Sequence, residues 1–313
     1  MPKFVWSPCG VKQTQQIQLW SAIPTPLTTS LKVDLASVEK MTEAAVADGM
    51  KGVFLAGTCG EGPWLPRREK IRLIQEVVRV ARGRLVVAAQ VSDNSVPRIL
   101  DNIAEVAEAG AGHAIIAPAA TMMNVTGDRI AALFGQAAAE SPLPVGIYDL
   151  GERRPFGIPT NRLKEICLLE NVRLVKDSSC DPLRREIALA VRKERPALDL
   201  LNGDEFRCVD YLEAGYNGCM FGGAAAIAPH LRDIVELFQA GKLAEARKLD
   251  EEMKTILYGI YGGQSIACWL TGLKYYMVRR GIFATPASFL EYPLTAECRA
   301  FIDDYAVRQK KAG

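Results

Sequence analysis

Lys176 closes the apolar run Val172-Arg173-Leu174-Val175 and is followed by Asp177-Ser178-Ser179. It is the one lysine of the sequence at the C-terminal end of a predicted strand. Lys51 sits at the opposite end of another, and the rest fall in helices, loops or termini. An ammonium group enclosed in a dry setting is costly to keep charged, which frees the amine to attack a ketone carbonyl. A structural lysine paired with Asp177 or another carboxylate fits the same position. Tyr148 ends the run Val145-Gly146-Ile147, and its phenol can relay a proton with a hydroxyl such as that of Thr58. A tyrosine that only packs at a strand end is the plainer role. Gly57-Thr58-Cys59-Gly60-Glu61 follows a third apolar run and precedes a helix opening near Pro66. Small residues with open backbone N–H groups suit a carboxylate or phosphate. Cys59 reads as a spectator, since no histidine is placed to activate it. Arg153 and Arg154 fit a carboxylate clamp and, equally, a solvated surface pair.

Composition removes several other chemistries. The 313 residues carry 38 basic and 36 acidic side chains, a net charge of +2 that offers no one-signed field for nucleic acid or an anionic membrane. Only two histidines exist, His113 and His230, so a histidine triad or a His-rich metal centre is not expected. The eight cysteines include no C-x-x-C pair and no regular framework, so they read as reduced thiols of a cytoplasmic protein without a zinc site. Residues Met1 to Gln18 lack the apolar core of a secretory signal. The longest uncharged stretch, Ala109 to Gly127, contains two glycines besides its end, a proline, His113 and Asn124, and reads as strand plus loop rather than a membrane span.

The candidate residues need a scaffold, and the chain alternates short apolar runs with amphipathic segments. Eight runs read as buried parallel strands: Leu19–Ile23, Gly52–Ala56, Leu85–Val91, His113–Ala117, Val145–Tyr148, Val172–Lys176, Leu198–Asn202 and Gly218–Phe221. Between them, Val38, Met41 and Ala45 repeat at helical spacing and stop at Gly49. Two further helices stop at Gly83 and Gly110, where glycine accepts the left-handed conformation of a helix end. Ala47-Asp48-Gly49-Met50-Lys51-Gly52-Val53-Phe54 is echoed by Glu213-Ala214-Gly215-Tyr216-Asn217-Gly218-Cys219-Met220. Recurring units with eight strands favour a closed α/β barrel, the (β/α)8 TIM barrel, over an open doubly wound sheet. After Phe221, Leu231–Gln239, Leu243–Tyr258, Ser265–Arg279 and Ala296–Val307 read as helices. One completes the barrel and three form a C-terminal extension. The expected division is residues 1–18 as an N-terminal extension, 19–240 as barrel and 241–313 as helices packed on it. In such a barrel catalytic groups gather at the C-terminal strand ends, where Lys176, Tyr148, the glycine loop and Asn202-Gly203-Asp204 all fall.

At these residues the sequence resembles the dihydrodipicolinate synthase / N-acetylneuraminate lyase family of Schiff-base aldolases, from about Leu19 to Leu273. Gly57-Thr58-Cys59-Gly60-Glu61 is similar to the family's G-[TS]-[TS]-G-E loop, and Thr25-Pro26-Leu27 to its T-P-F/L after the first strand. Tyr148 resembles the catalytic tyrosine and Lys176 the imine-forming lysine, with the family's spacing of 176 − 148 = 28. Gly203-Asp204 resembles the G-D pair after the seventh strand. The resemblance implies catalytic roles for Lys176, Tyr148 and Thr58, with Gly57, Cys59, Arg153, Gly203, Asp204 and Met220 as substrate contacts. Lys176 would condense with the keto group of pyruvate or a related acid, whose carboxylate would rest on the N–H groups of Thr58 and Cys59. The resemblance also implies a homotetramer and no metal or organic cofactor.

The departures from the family pattern point away from lysine-biosynthetic synthases. Those carry a tyrosine pair after the strand-four proline, whereas here Pro118 is followed by Ala119-Ala120-Thr121-Met122-Met123. Asp149 replaces an asparagine, Gly151 a common proline and Cys59 a hydroxyl residue, while Arg153 aligns with a substrate-carboxylate arginine of the synthases. The expectation is a lyase or aldolase acting on a different small 2-keto acid, with deoxy sugar acids the first choice. A dehydratase using the same lysine imine is the alternative, and a barrel that binds ligand without catalysis is the third.

Overall fold

A computed structural model describes residues 16–152 and 154–312. Eight parallel strands close into a barrel in sequence order: β1 (Gln18–Ala22), β2 (Gly52–Leu55), β3 (Val86–Gln90), β4 (His113–Ile116), β5 (Val145–Asp149), β6 (Val172–Asp177), β7 (Asp199–Asn202) and β8 (Gly218–Phe221), with β8 pairing back onto β1. The open-sheet alternative is thereby excluded. Each predicted strand is present to within about one residue at either end. The helices α1 (Leu35–Ala47), α2 (Arg67–Ala81), α3 (Val96–Glu108), α4 (Gly127–Glu140), α5 (Thr160–Cys167), α6 (Pro182–Glu194), α7 (Cys208–Ala214) and α8 (Ala224–Gln239) follow the strands in turn. Three more, α9 (Leu243–Tyr261), α10 (Trp269–Arg279) and α11 (Ala296–Ala312), complete the chain. No helix among the described residues is long and apolar enough to cross a membrane.

The three glycine stops fall where the sequence puts them. Gly49, Gly83 and Gly110 adopt φ of 72°, 76° and 94°, just past α1, α2 and α3. The α8 helix begins seven residues earlier than expected and carries Pro229 inside it, which masks its first turns in the sequence pattern.

Two separate apolar cores result from the two faces of the barrel wall. The outer core lies between strands and helices. The inner core takes a residue from every strand: Trp20, Ala22, Phe54, Ala88, Ile115, Tyr148, Leu174, Leu201 and Met220, with Ala117 just beyond β4. Alternation along a strand sends successive side chains to opposite faces, so an inward Leu174 requires an inward Lys176 and an outward Asp177. The interior has little room for these large groups. A Cβ on Gly52 would lie 2.5 Å from the Trp20 ring, and one on Gly218 would lie 2.6 Å from the Leu201 side chain. Glycine at those inward positions is the small partner of a large neighbour.

Candidate active site

Tyr148 and Lys176 are register partners on β5 and β6, as are their successors Asp149 and Asp177. Both members of the first pair point inward, and both are buried. Lys176 Nζ lies 4.2 Å from the centre of the Tyr148 ring and 5.3 Å from that of Phe54, whose rings meet edge to face. Two aromatic faces thus hold the amine. Among the described residues no carboxylate lies within salt-bridge distance of it. The structural alternative, Lys176 paired with Asp177, does not hold. Asp177 points outward and accepts from the Tyr216 hydroxyl at 2.5 Å and from the Ser179 hydroxyl at 2.7 Å.

The strand-five successor is similarly engaged behind the barrel wall. Asp149 is clasped by Arg184 of α6 through Nε at 2.8 Å and Nη2 at 2.7 Å, and it accepts from Gly151 N–H. Arg184 is wholly buried, and its remaining donors reach Ile158 O and Thr160 Oγ1. A carboxylate rather than an amide at position 149 satisfies this two-pronged guanidinium and cancels its charge. The departure at position 149 therefore has a structural partner that the sequence reading did not identify. Its signal was present: Arg184 lies on the buried stripe Arg184, Ala188, Val191 of an otherwise polar helix.

The loop after β2 is fixed from both sides. Thr25 donates to Gly60 O at 2.6 Å. Glu61, wholly buried, receives Lys274 of α10, the Ser288 hydroxyl and Phe289 N–H. Lys274 spends a second donor on Ala287 O at 2.7 Å. This buried ion pair ties the glycine loop to the C-terminal helices. Lys274 interrupts an apolar helix and could have been found on that ground. The loop is crowded as well, since a Cβ at Gly57 would lie 2.6 Å from Phe54. Among the described residues the N–H groups of Thr58 and Cys59 donate to no acceptor. They are unspent backbone donors at the mouth of the barrel.

The remaining expected residues fall into three groups. Gly203 passes directly beside the amine, since a Cβ on it would lie 3.1 Å from Lys176 Cε and would collide with Ser178 Oγ. Met220 is wholly buried in the inner core. Cys59 is buried, its sulfur 3.9 Å from Gly222 O, and desolvation pushes the thiol up to about 12, so it stays protonated and is a poor nucleophile. Thr58 stands exposed, and no hydrogen bond among the described residues joins its hydroxyl to Tyr148. Asp204 turns away, binding Arg207 at 2.6 Å and closing its own loop through Phe206 N–H. Arg153 lies outside the described residues. A polar cleft of about 440 Å³ on the β2–β4 side of the same face, lined in part by Lys70, Gln90 and Arg98, includes neither Lys176 nor Tyr148. No group of three or more His, Cys, Asp or Glu side chains among the described residues could hold a metal.

One carboxylate escaped the sequence reading. Glu205, next to Gly203-Asp204, accepts from the Tyr261 hydroxyl of α9 at 2.7 Å and from Gly223 N–H at 2.7 Å. Its place just beyond a barrel strand would have flagged it under the same rule that found Lys176.

The profile of the dihydrodipicolinate synthetase family matches residues 15–295. The 4-hydroxy-tetrahydrodipicolinate synthase of Listeria monocytogenes is 25% identical over 266 residues, covering 85% of this chain and 89% of that protein. The enzyme of that name from Chlorobium chlorochromatii is 25% identical over 285 residues, covering 90% and 94%. Among solved structures, dihydrodipicolinate synthase from Thermotoga maritima superposes with a TM-score of 0.83 at 15% identity, covering 95% of this chain and 99% of that one. The Bacillus anthracis enzyme gives 0.81 at 20% identity, covering 93% and 97%. With a family match over most of its length and the lysine–tyrosine pair inside its barrel, the chain belongs to the dihydrodipicolinate synthetase family, whose enzymes are lyases of the class I aldolase type.

Proposed function

We propose that Lys176 forms a Schiff base with pyruvate or another small 2-keto acid and that the protein makes or breaks a carbon–carbon bond through the resulting enamine. The observation that carries this reading is the enclosed Lys176 amine over the Tyr148 ring, with no carboxylate of the described residues within salt-bridge distance and glycine backbone beside it. The keto acid's carboxylate rests on the N–H groups of Thr58 and Cys59. Tyr148 carries protons between carbinolamine and imine, and Thr58 completes the relay once substrate lies between them. Gly57 and Gly203 leave room for the ligand, Met220 floors it, and Arg153 holds a second anionic group of the substrate, with Asp204 shaping the loop. No metal or organic cofactor takes part. The assembly is a homotetramer, although one solved relative is described as a monomeric variant.

A second reading keeps the same imine but expels water rather than an aldehyde. It is favoured by the stretch Ala119-Ala120-Thr121-Met122-Met123 after Pro118, which has no tyrosine where the lysine-biosynthetic synthases carry a pair. Synthase activity of the kind named for the relatives is therefore not proposed. Borohydride reduction in the presence of pyruvate, followed by peptide mapping, tests the imine. A pyruvate-sized adduct on Lys176 supports the reading. No adduct with any 2-keto acid leaves a barrel that binds ligand without catalysis.

A further inference from the structure

The glycine loop after β2 is held in a conformation that its residues disfavour. Ala56 and Glu61, which bracket it, have φ of 53° and 56°, in the left-handed region that residues with a side chain rarely occupy. The loop is closed on itself, with Gly62 N–H donating to Gly57 O at 3.1 Å and Glu61 N–H to Thr58 O at 3.2 Å. A Cβ on Gly62 would lie 1.7 Å from Ala56 O, so the two ends of the loop pass in contact. Backbone strain of this kind persists where the surroundings over-determine it.

Those surroundings come from the far end of the chain. The Ser288 hydroxyl and Phe289 N–H donate to Glu61 Oε2 at 2.8 and 2.6 Å, and Lys274 of α10 pairs with Oε1 from 213 residues away. Both charged side chains are wholly buried. The segment bearing Ser288 is moored in turn. Lys274 donates to Ala287 O at 2.7 Å, and the Thr285 hydroxyl donates to Leu27 O at 2.8 Å. Two residues before Leu27, Thr25 donates to Gly60 O, which completes a circuit around the loop.

We propose that Glu61, Lys274 and Ser288 are positioning residues for the keto acid's carboxylate, holding the glycine loop so that the N–H groups of Thr58 and Cys59 stay free to receive it. This rests on the Schiff-base reading and on a shared contact between loop and amine. The Phe54 ring lies 5.3 Å from Lys176 Nζ, and a Cβ on Gly57 would lie 2.6 Å from the same ring. With the Glu61 carboxylate released, φ at Ala56 and Glu61 can relax to negative values. The peptide planes between them, which carry the two N–H groups, then turn away. Lys176 and Tyr148 stand on strands and keep their places. The clamp therefore governs capture of the acid anion, not the reactivity of the amine.

Borohydride trapping at Lys176 should be compared for pyruvate and for its neutral methyl ester, each over a range of concentration, in the intact protein and in Glu61→Gln combined with Lys274→Met. The double variant removes both buried charges together, so neither is stranded. A native circular dichroism spectrum is checked first. The pyruvate concentration giving half-maximal trapping should rise about tenfold to a hundredfold, as expected when hydrogen bonds to a charged group are lost. The maximal trapping rate and half-saturation by the ester should stay near those of the intact protein. Ser288→Ala, which drops one donor to Glu61 without stranding a charge, should raise the pyruvate value about threefold. It decides the matter where the double variant does not fold. Unchanged half-saturation by pyruvate in a folded variant overturns the proposal. Equal weakening of pyruvate and ester also overturns it, since general loosening of the barrel would act on both. If the intact protein does not prefer pyruvate to its ester, the proposal falls and the Schiff base stands. Absence of an adduct with any keto acid removes both.

Discussion

The Tyr148 ring and the Lys176 amine face each other across adjacent strands at the same register level, 4.2 Å from nitrogen to ring centre. Because strand pairing sets this separation, neither side chain needs a loop to bring it into place. Lys176→Ala should abolish borohydride trapping and turnover together, measured by intact mass and product release. Tyr148→Phe keeps the ring over the amine and should lower kcat by about 10²–10³-fold while trapping persists. Equal turnover in the phenylalanine variant would remove the tyrosine from the proton relay.

Gly203→Ala probes the same pocket from the opposite wall. The added methyl would meet Lys176 Cε and Ser178 Oγ, so either the lysine or the loop must shift. The variant should fold, with the rate of adduct formation at Lys176 reduced at least tenfold. A trapping rate equal to that of the parent would show that the loop yields without disturbing the amine.

The Asp149–Arg184 pair should respond asymmetrically to substitution. Asp149→Asn keeps the shape but leaves a buried guanidinium uncompensated, at a cost of about 3–5 kcal/mol. Asp149→Asn combined with Arg184→Leu removes both charges and should recover much of that loss. Urea denaturation of the single and double variants measures the coupling, and simple additivity would contradict it.

Asp250 on α9 gives stability a pH dependence of definite sign. Its carboxyl is buried, accepts from Val209 N–H at the start of α7, lies 3.9 Å from Lys254 Nζ and leaves Oδ1 without a hydrogen-bond partner among the described residues, and desolvation, only partly offset by Lys254, raises it to about 6 from 3.8. A folded-state value above the unfolded one means that the anion is penalised in the folded protein. The penalty is fully present above pH 6 and fades as pH falls through 6 toward 4, amounting to about 3 kcal/mol at most for a shift of this size. Asp250→Asn should therefore stabilise the protein at pH 8 and lose that advantage near pH 4. Chemical denaturation at both pH values tests this, and an equal difference at each would remove Asp250 as the cause.

Strand order, strand limits, the helix stops at Gly49, Gly83 and Gly110, and the positions of Lys176, Tyr148 and the glycine loop were legible in the sequence, whereas α9 and α11 run three and five residues past their expected ends and α10 begins four residues after its expected start. The legible features depend on local periodicity and on the rule that barrel chemistry sits at C-terminal strand ends, and both survive in a linear string. Facing was legible too, since alternation from Leu174 fixes Lys176 inward. Partnership was not. Asp149 meets Arg184, Glu61 meets Lys274 and Glu205 meets Tyr261 across 35, 213 and 56 residues. A buried charge is tolerable only with a counter-charge or hydrogen-bond donors in place, and closure of the barrel chooses which groups meet. The sequence determined which groups could react and which face they occupy. The tertiary structure decided which of them are paired and which, like the Lys176 amine, have no carboxylate within salt-bridge distance among the described residues.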